Sequence, residues 1–137
     1  MRANVVMALC AVAAFGLIGC SQSGSIANDK EKIEQAVQSG ASNAGSAAVV
    51  DPIIMRQEYA VADWTSGDKG GRTLLHRERG SWKVIATGGE EIRDAEALMR
   101  AGLGQKEAKA LANSVIAKER KVPEDRLAKL DRYAAAN

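Results

Sequence analysis

Residues 59–89 read YAVADWTSGDKGGRTLLHRERGSWKVIATGG and carry the signals of consecutive β-strands. Residues 59–65 and 73–78 are rich in aromatic, β-branched and aliphatic side chains, and the segment between them contains three glycines and an aspartate. This pattern predicts a β-hairpin. Residues 79–81 are expected to form a three-residue loop before a further strand, because Gly80 can take a positive φ. The segment therefore predicts an antiparallel meander.

The expected hairpin closures also predict which side chains share a face of the sheet. If both hairpins close symmetrically, one face of the sheet carries the following residues: Ala62, Trp64, Leu74, His76, Trp82, Val84 and Ala86. The opposite face then carries Val61, Leu75 and Ile85 with the charged residues Asp63, Arg77 and Lys83. We expect the first face to be the core, because it holds both tryptophans and fewer charges. A slip of one residue in either loop would exchange the two faces.

A helix and an edge strand are expected before this meander. Asn28 can cap a helix over residues 29–39, and residues 40–48 are small and polar, which indicates a flexible connection. Residues 49–55 offer a first strand that is interrupted by Pro52. Since proline cannot donate to a central ladder, this strand should lie at an edge or begin after the proline.

Two or three helices are expected after the sheet. Asp94 is a suitable N-cap for a short helix through Arg100, and Gly102 closes it. Apolar residues recur at helical spacing over residues 105–121, namely Ala108, Leu111, Ala112, Val115 and Ile116. Pro123 suits the first turn of a last helix. The chain therefore predicts an α+β fold, in which a three- to four-stranded antiparallel meander follows one helix and precedes two or three more.

Length, charge and cysteines restrict the class of protein. The 137 residues suffice for one domain, and 19 basic side chains nearly balance 17 acidic ones without a block of like charge. This distribution does not fit a nucleic-acid partner. Cys10 and Cys20 both lie in the first twenty residues, so the rest of the chain has no thiol for a disulfide or a thiolate metal site.

Residues 1–19 have the composition of a secretory signal peptide. Arg2 is their only charge, and the apolar run over residues 5–18 is shorter than the roughly twenty residues that span a bilayer as a helix. The segment ends with Leu17-Ile18-Gly19-Cys20, which resembles the lipobox of bacterial lipoproteins. In that family the cysteine receives a diacylglycerol and becomes the first residue of the mature protein.

The lipobox resemblance implies a compartment and a partner. Acylated Cys20 would anchor the chain in the lipid bilayer, residues 20–28 would be the lipidated cysteine and a flexible tether, and residues 29–134 would form one small α+β domain. By similarity to Gram-negative lipoproteins, Ser21 implies the outer membrane and its periplasmic face. In a Gram-positive host the location would be the cell membrane. We expect a non-enzymatic accessory or binding role, with an envelope protein or a small ligand as partner and no cofactor.

The glycine-rich hairpin and its neighbours form the expected binding surface, which comprises Asp63, Trp64, Asp68, Gly70, Gly71, Arg72 and His76. Three glycines with Lys69 and Arg72 superficially resemble a phosphate cradle. A P-loop, however, needs Gly-Lys-Ser/Thr at the start of a helix, whereas Arg72 and Thr73 begin a strand. We therefore prefer the structural interpretation, in which these glycines form a hairpin loop.

His76 is the only histidine, and this restricts the chemistry that the chain can perform. A hydrolase would have to bring it together with Asp63 or Glu78 in one solvent-open cleft, and the sequence has no Gly-x-Ser-x-Gly motif. A zinc site would need about four ligands of cysteine, histidine or carboxylate type. We expect neither a catalytic residue nor a bound metal.

Residues 59–89 resemble the middle of the bacterial copper uptake system-associated proteins. The resemblance rests on Trp64, Gly70, Gly71, Arg72, Leu74, Leu75, Gly80 and Trp82. It implies, as an alternative, a periplasmic accessory protein that handles copper. Family members often have a cysteine near Thr87 and a tail rich in methionine or histidine, and this chain has neither. Beyond residue 19 its methionines are Met55 and Met99. The strand pattern also resembles the NTF2-like superfamily, which implies a small hydrolase using His76 as a second alternative.

Overall fold

A four-stranded antiparallel sheet with helices on both faces makes up the fold. The computed structural model describes residues 22–41 and 47–133. The elements, in chain order, are α1 (Gln22–Ala41), β1 (Val49–Arg56), β2 (Tyr59–Ser66), β3 (Lys69–Glu78), β4 (Ser81–Gly88), a 3₁₀ helix (Glu90–Arg93), α2 (Ala95–Arg100), α3 (Gln105–Glu119) and α4 (Glu124–Asp131). The strand order is β1-β2-β3-β4. The predicted α+β meander between one helix and three later ones is confirmed. The predicted signal peptide and Cys20 lie outside the described residues.

Two-residue turns connect the strands, and they are shorter than predicted. The turn residues are Gln57 and Glu58, Gly67 and Asp68, and Arg79 and Gly80. Strand β3 begins at Lys69 and includes Gly70 and Gly71, while Ser81 belongs to β4 and not to a loop. The shorter turns change the register, so that Trp64 lies opposite Gly71 and Leu74 lies opposite Val61. The prediction that Trp64 and Leu74 share a face is therefore wrong.

Both faces of the sheet are buried, which corrects the single core face that we expected. One face carries Ala60, Ala62, Trp64, Leu75 and Trp82 and packs against Ile33 and Val37 of α1. The other carries Val61 and Leu74 and packs against Leu98, Leu103, Ala108, Leu111, Ala112 and Val115. Strands that are covered on both sides have near-continuous apolar runs, so counting tryptophans and charges could not identify one buried side.

A register shift in the β3–β4 ladder explains a further difference from the expected faces, and the edge position of β4 accompanies another. Leu74 pairs with Ala86, whereas the next residue, Leu75, pairs with Val84, which leaves Ile85 as an extra residue in β4. Ala86 consequently packs with the α3 side of the sheet. Val84, which was expected in the core, is 47% exposed.

The N-terminal helix starts earlier than predicted. It begins at Gln22 instead of residue 29, so residues 22–28, which we expected to form a tether, are helical. Ile26, near the start of the helix, is 53% exposed. Asp29 does not act at the helix start, because its carboxylate accepts hydrogen bonds from Arg77 Nη1 at 2.9 Å and from Trp82 Nε1 at 3.2 Å. Asp29 therefore joins α1 to the sheet.

The expectation for Pro52 is confirmed. Strand β1 includes this proline, lies at one edge of the sheet and shifts its register against β2 between Val50 and Ile53. The missing backbone N–H therefore falls where the ladder is interrupted. Strand β4 forms the other edge.

The C-terminal helices agree with the predicted start and stop signals. Asp94 caps α2 by accepting from the backbone N–H of Ala97 at 2.9 Å, and Gly102 follows the helix with a φ of 112°. Helix α3 buries the predicted stripe except for Ile116, which is 41% exposed. Pro123 is the N-cap of α4, and Leu130 is fully buried beneath that helix.

Candidate functional site

The residues predicted to form one binding surface occupy separate environments. Asp63 and Arg72 are buried with 0% exposure, on the sheet face that α3 covers. Trp64, Gly70 and Gly71 are also buried, whereas Asp68 is exposed in a turn and His76 is partly exposed at the far end of the hairpin. The structure therefore does not bring the seven residues together as an open surface.

Gly70 and Gly71 make room for helix α4 and the residues that follow it. A Cβ on Gly70 would lie 3.0 Å from the backbone carbon of Lys129, and one on Gly71 would lie 2.7 Å from Cδ2 of Tyr133. The Tyr133 ring meets the Trp64 indole edge to face, with ring centroids 6.2 Å apart. The two glycines that suggested a phosphate cradle thus allow α4 and Tyr133 to pack closely against β3.

Arg72 is the centre of a buried ionic cluster. Its Nε and Nη2 lie 2.6 and 3.0 Å from the two carboxylate oxygens of Glu119, and Nη2 also lies 2.9 Å from Asp131 Oδ1. Glu119 is 3% exposed and additionally accepts from Arg93 Nη1 at 3.3 Å. The bidentate pair joins β3 to α3, and the Asp131 contact joins both to the end of α4.

Asp63 belongs to the same cluster, and its surroundings favour the protonated form of its carboxyl. It lies directly opposite Arg72 in the sheet, and neither of its oxygens has a hydrogen-bond donor among the described residues. Burial raises the pKa of Asp63 to about 8, the negative charge of Glu119 raises it as well, and the charges of Arg72 and Arg126 oppose this. A hydrogen bond between two carboxyl groups requires that one of them be protonated. The protonated Asp63 carboxyl can therefore donate a hydrogen bond to the Glu119 carboxylate.

Sequence reasoning missed Glu119, Asp131 and Arg93. One signal was present, because Glu119 follows Val115 by four residues and so extends the buried stripe of α3. An acid at a stripe position predicts a buried partner of opposite charge. Nothing comparable distinguishes Asp131 or Arg93 from the other charged residues around them.

His76 has two neighbours that bear on the hydrolase hypothesis. Its ring stacks on Tyr59 with centroids 4.6 Å apart, and its Nδ1 lies 3.5 Å from Glu78 Oε1. Asp63 lies four residues along β2 from Tyr59, a distance of roughly 13 Å at 3.3 Å per residue. The structure therefore brings His76 to Glu78, which is 51% exposed, and not to Asp63.

The methionines relevant to the copper hypothesis lie on opposite sides of the sheet. Met55 packs against the cluster that contains the tryptophans, and Met99 packs against the cluster that contains Leu74. A Cu(I) site requires sulfur ligands that converge on one point. Within the described residues, no group of three histidine, cysteine or acidic side chains is placed to hold a metal ion.

An open cleft lies between the β1–β2 turn and the first turns of α3. It is lined by Arg56, Gln57, Tyr59, Leu103, Lys106, Glu107, Ala110 and Leu111, and its empty volume, including the open mouth, is about 370 Å³. Leu103 and Leu111 are buried, whereas Arg56 and Lys106 are exposed. None of the seven predicted binding residues lines this cleft, although Tyr59 stacks on His76.

No protein-family model, curated protein sequence or solved structure matches the chain. Among residues 22–41 and 47–133, no helix has both the length and the apolar character required to cross a bilayer.

Proposed function

We propose that this chain is a lipid-anchored bacterial envelope protein with a non-enzymatic binding role. The observation that carries the proposal is the sequence Leu17-Ile18-Gly19-Cys20 at the end of an apolar run with one basic residue before it. Acyl chains on Cys20 would contribute about 0.8 kcal/mol per buried methylene, so two or three chains suffice for stable anchoring. Ser21 supports the periplasmic face of the outer membrane as the location.

The position of α1 fits this arrangement. The helix begins at Gln22, two residues after Cys20, and Ile33 and Val37 fix it against the sheet. An acylated Cys20 would therefore hold the folded part close to the membrane, without the flexible tether over residues 21–28 that the sequence suggested. The binding role is supported by the cleft beside Tyr59, which combines an apolar floor with two cationic side chains.

Acylation is testable with a matched pair of cysteine variants. We expect a palmitate analogue supplied to a Gram-negative expression host to label the wild-type protein and Cys10→Ser equally. For Cys20→Ser the label should fall to background, and the protein should leave the membrane fraction, because the acceptor sulfur is lost. The measurement is in-gel detection of the label after membrane fractionation.

Two results would contradict the proposal. One is label that persists on Cys20→Ser, which would place the acyl group elsewhere. The other is wild-type protein recovered from the cytosol with residues 1–19 still attached. Cys10→Ser controls for any general effect of removing a thiol from the apolar run.

A further inference from the structure

We propose that the cleft between the β1–β2 turn and α3 binds a small amphipathic anion, namely a carboxylate with a short apolar body. This inference deepens the binding role and rests on the proposed function for that role, but not on the lipid anchor. The cleft shares no residue with the buried ionic cluster around Arg72. It is therefore accessible without any movement of α4.

The floor and one wall of the cleft suit an apolar body. Leu111 is fully buried and Leu103 is 4% exposed, so the floor is fixed by the packed core beneath it. The Tyr59 ring is supported from behind by the stacked His76 ring. A wall that is held in place before the ligand arrives reduces the entropy lost on binding.

The mouth of the cleft suits a negative charge. Arg56 and Lys106 are both exposed, and neither makes an ion pair with any described residue. The one acid of the lining, Glu107, is directed at the helix start, since a Cβ on Gly104 would lie 2.5 Å from Glu107 Oε2. Arg56 and Lys106 are therefore two cationic side chains of the lining without an ion-pair partner among the described residues, and a ligand carboxylate can pair with them.

The size of the cleft restricts the ligand further. The volume of about 370 Å³ includes the open mouth, so the enclosed part of the cleft is smaller than this. This favours a body of a few carbons over a long acyl chain or a folded partner.

Photoaffinity labelling of the full chain in lipid nanodiscs tests this assignment. The probe is a six-carbon carboxylic acid that carries a diazirine, and labelled positions are mapped by proteolysis and mass spectrometry. We expect label to concentrate on the fragments that contain Tyr59 and Ala110. Hexanoate should compete for this labelling, whereas the neutral hexanol should compete much less, because it offers no charge to Arg56 and Lys106.

A matched lysine pair separates the cleft from general surface charge. Lys106→Gln should weaken competition by hexanoate about threefold to fivefold, the effect of one exposed ion pair. Lys118→Gln, which removes an exposed lysine about 18 Å further along α3, should leave competition unchanged. Label spread evenly over the chain, equal competition by hexanol, or equal weakening by Lys118→Gln would each overturn the assignment.

The same assay on Cys20→Ser separates this inference from the proposed function. Labelling of the cleft that persists in a chain without acylation supports the site independently of the anchor. If neither the wild-type chain nor Cys20→Ser shows label concentrated at the cleft, the inference is wrong. The palmitate experiment would still decide whether the protein is lipid-anchored.

Discussion

The surroundings of Asp63 disfavour the charged form of its carboxyl. Its carboxyl is buried next to Glu119, and burial together with that negative charge raises the pKa of Asp63 to about 8. In the unfolded chain the carboxyl faces water and its pKa returns to about 3.9. The folded protein therefore holds a proton that the unfolded chain releases.

Asp63 should make the protein less stable as the pH rises. Between about pH 4 and about pH 8 the folded state binds more protons than the unfolded state, so the free energy of unfolding should fall by up to about 1.4 kcal/mol per pH unit. Above about pH 8 the folded state also loses the proton and the fall should stop. Asp63→Asn should remove this dependence, as measured by urea unfolding of both proteins across that range.

Asp68→Asn is the matched control, because Asp68 is exposed in the turn next to β3. Its unfolding should follow the wild-type pH dependence. If wild type and Asp63→Asn change in parallel between about pH 5 and about pH 8, Asp63 does not hold a proton in the folded state.

Single residues also show how far the sequence can specify a site. The sequence selected Asp63 and Arg72, and the structure places them opposite each other in β2 and β3. Their role was misjudged, because burial by α3 and α4 converts two accessible charges into a closed cluster. Glu119 and Asp131 complete the cluster from 47 and 59 residues further along the chain, and no local pattern connects such distant positions.

At the level of elements, glycines in β3 determine how α4 is held. The Gly71→Ala substitution should cost about 1–3 kcal/mol, because the new methyl group would meet Tyr133 and Trp64 in a packed contact. Gly40→Ala makes the same change within α1, where nothing lies within 4 Å of the added Cβ. That variant should be more stable by up to about 1 kcal/mol, since alanine favours a helix.

Urea unfolding of the two variants gives the comparison, and near-UV circular dichroism reports the Trp64 and Tyr133 contact. Gly71→Ala should lose part of the aromatic signal, whereas Gly40→Ala should retain it. Wild-type stability of Gly71→Ala would mean that Tyr133 does not pack at this position.

The existence and type of the elements could be predicted, but the register could not. The spacing of the hydrophobic residues and the N-cap residue Asp94 were sufficient to predict the strands and helices. Glycines are uncommon inside strands, so the sequence favoured placing Gly70 and Gly71 in a loop. In the structure β3 continues through both glycines, because their lack of side chains lets α4 approach closely. This is a tertiary contact, which the local sequence does not reveal.

For the whole molecule, the division of the core by the sheet should make α1 essential to stability. Ile33 is fully buried in the cluster that contains Trp64 and Trp82. Ile33→Ala should therefore lower the free energy of unfolding by about 2–5 kcal/mol, measured in urea. Ile26→Ala, at a residue of α1 that is 53% exposed, should change it by less than about 0.5 kcal/mol. Equal effects of the two variants would show that α1 does not pack as described.

Both free edges of the sheet are irregular, and this affects how copies of the protein can meet. An uninterrupted edge strand offers a row of unpaired N–H and C=O groups that can template the addition of another chain. Here β1 is interrupted at Pro52 and β4 bulges at Ile85. Neither edge supplies a continuous row of unpaired groups, so the addition of a strand from another copy is disfavoured at both edges.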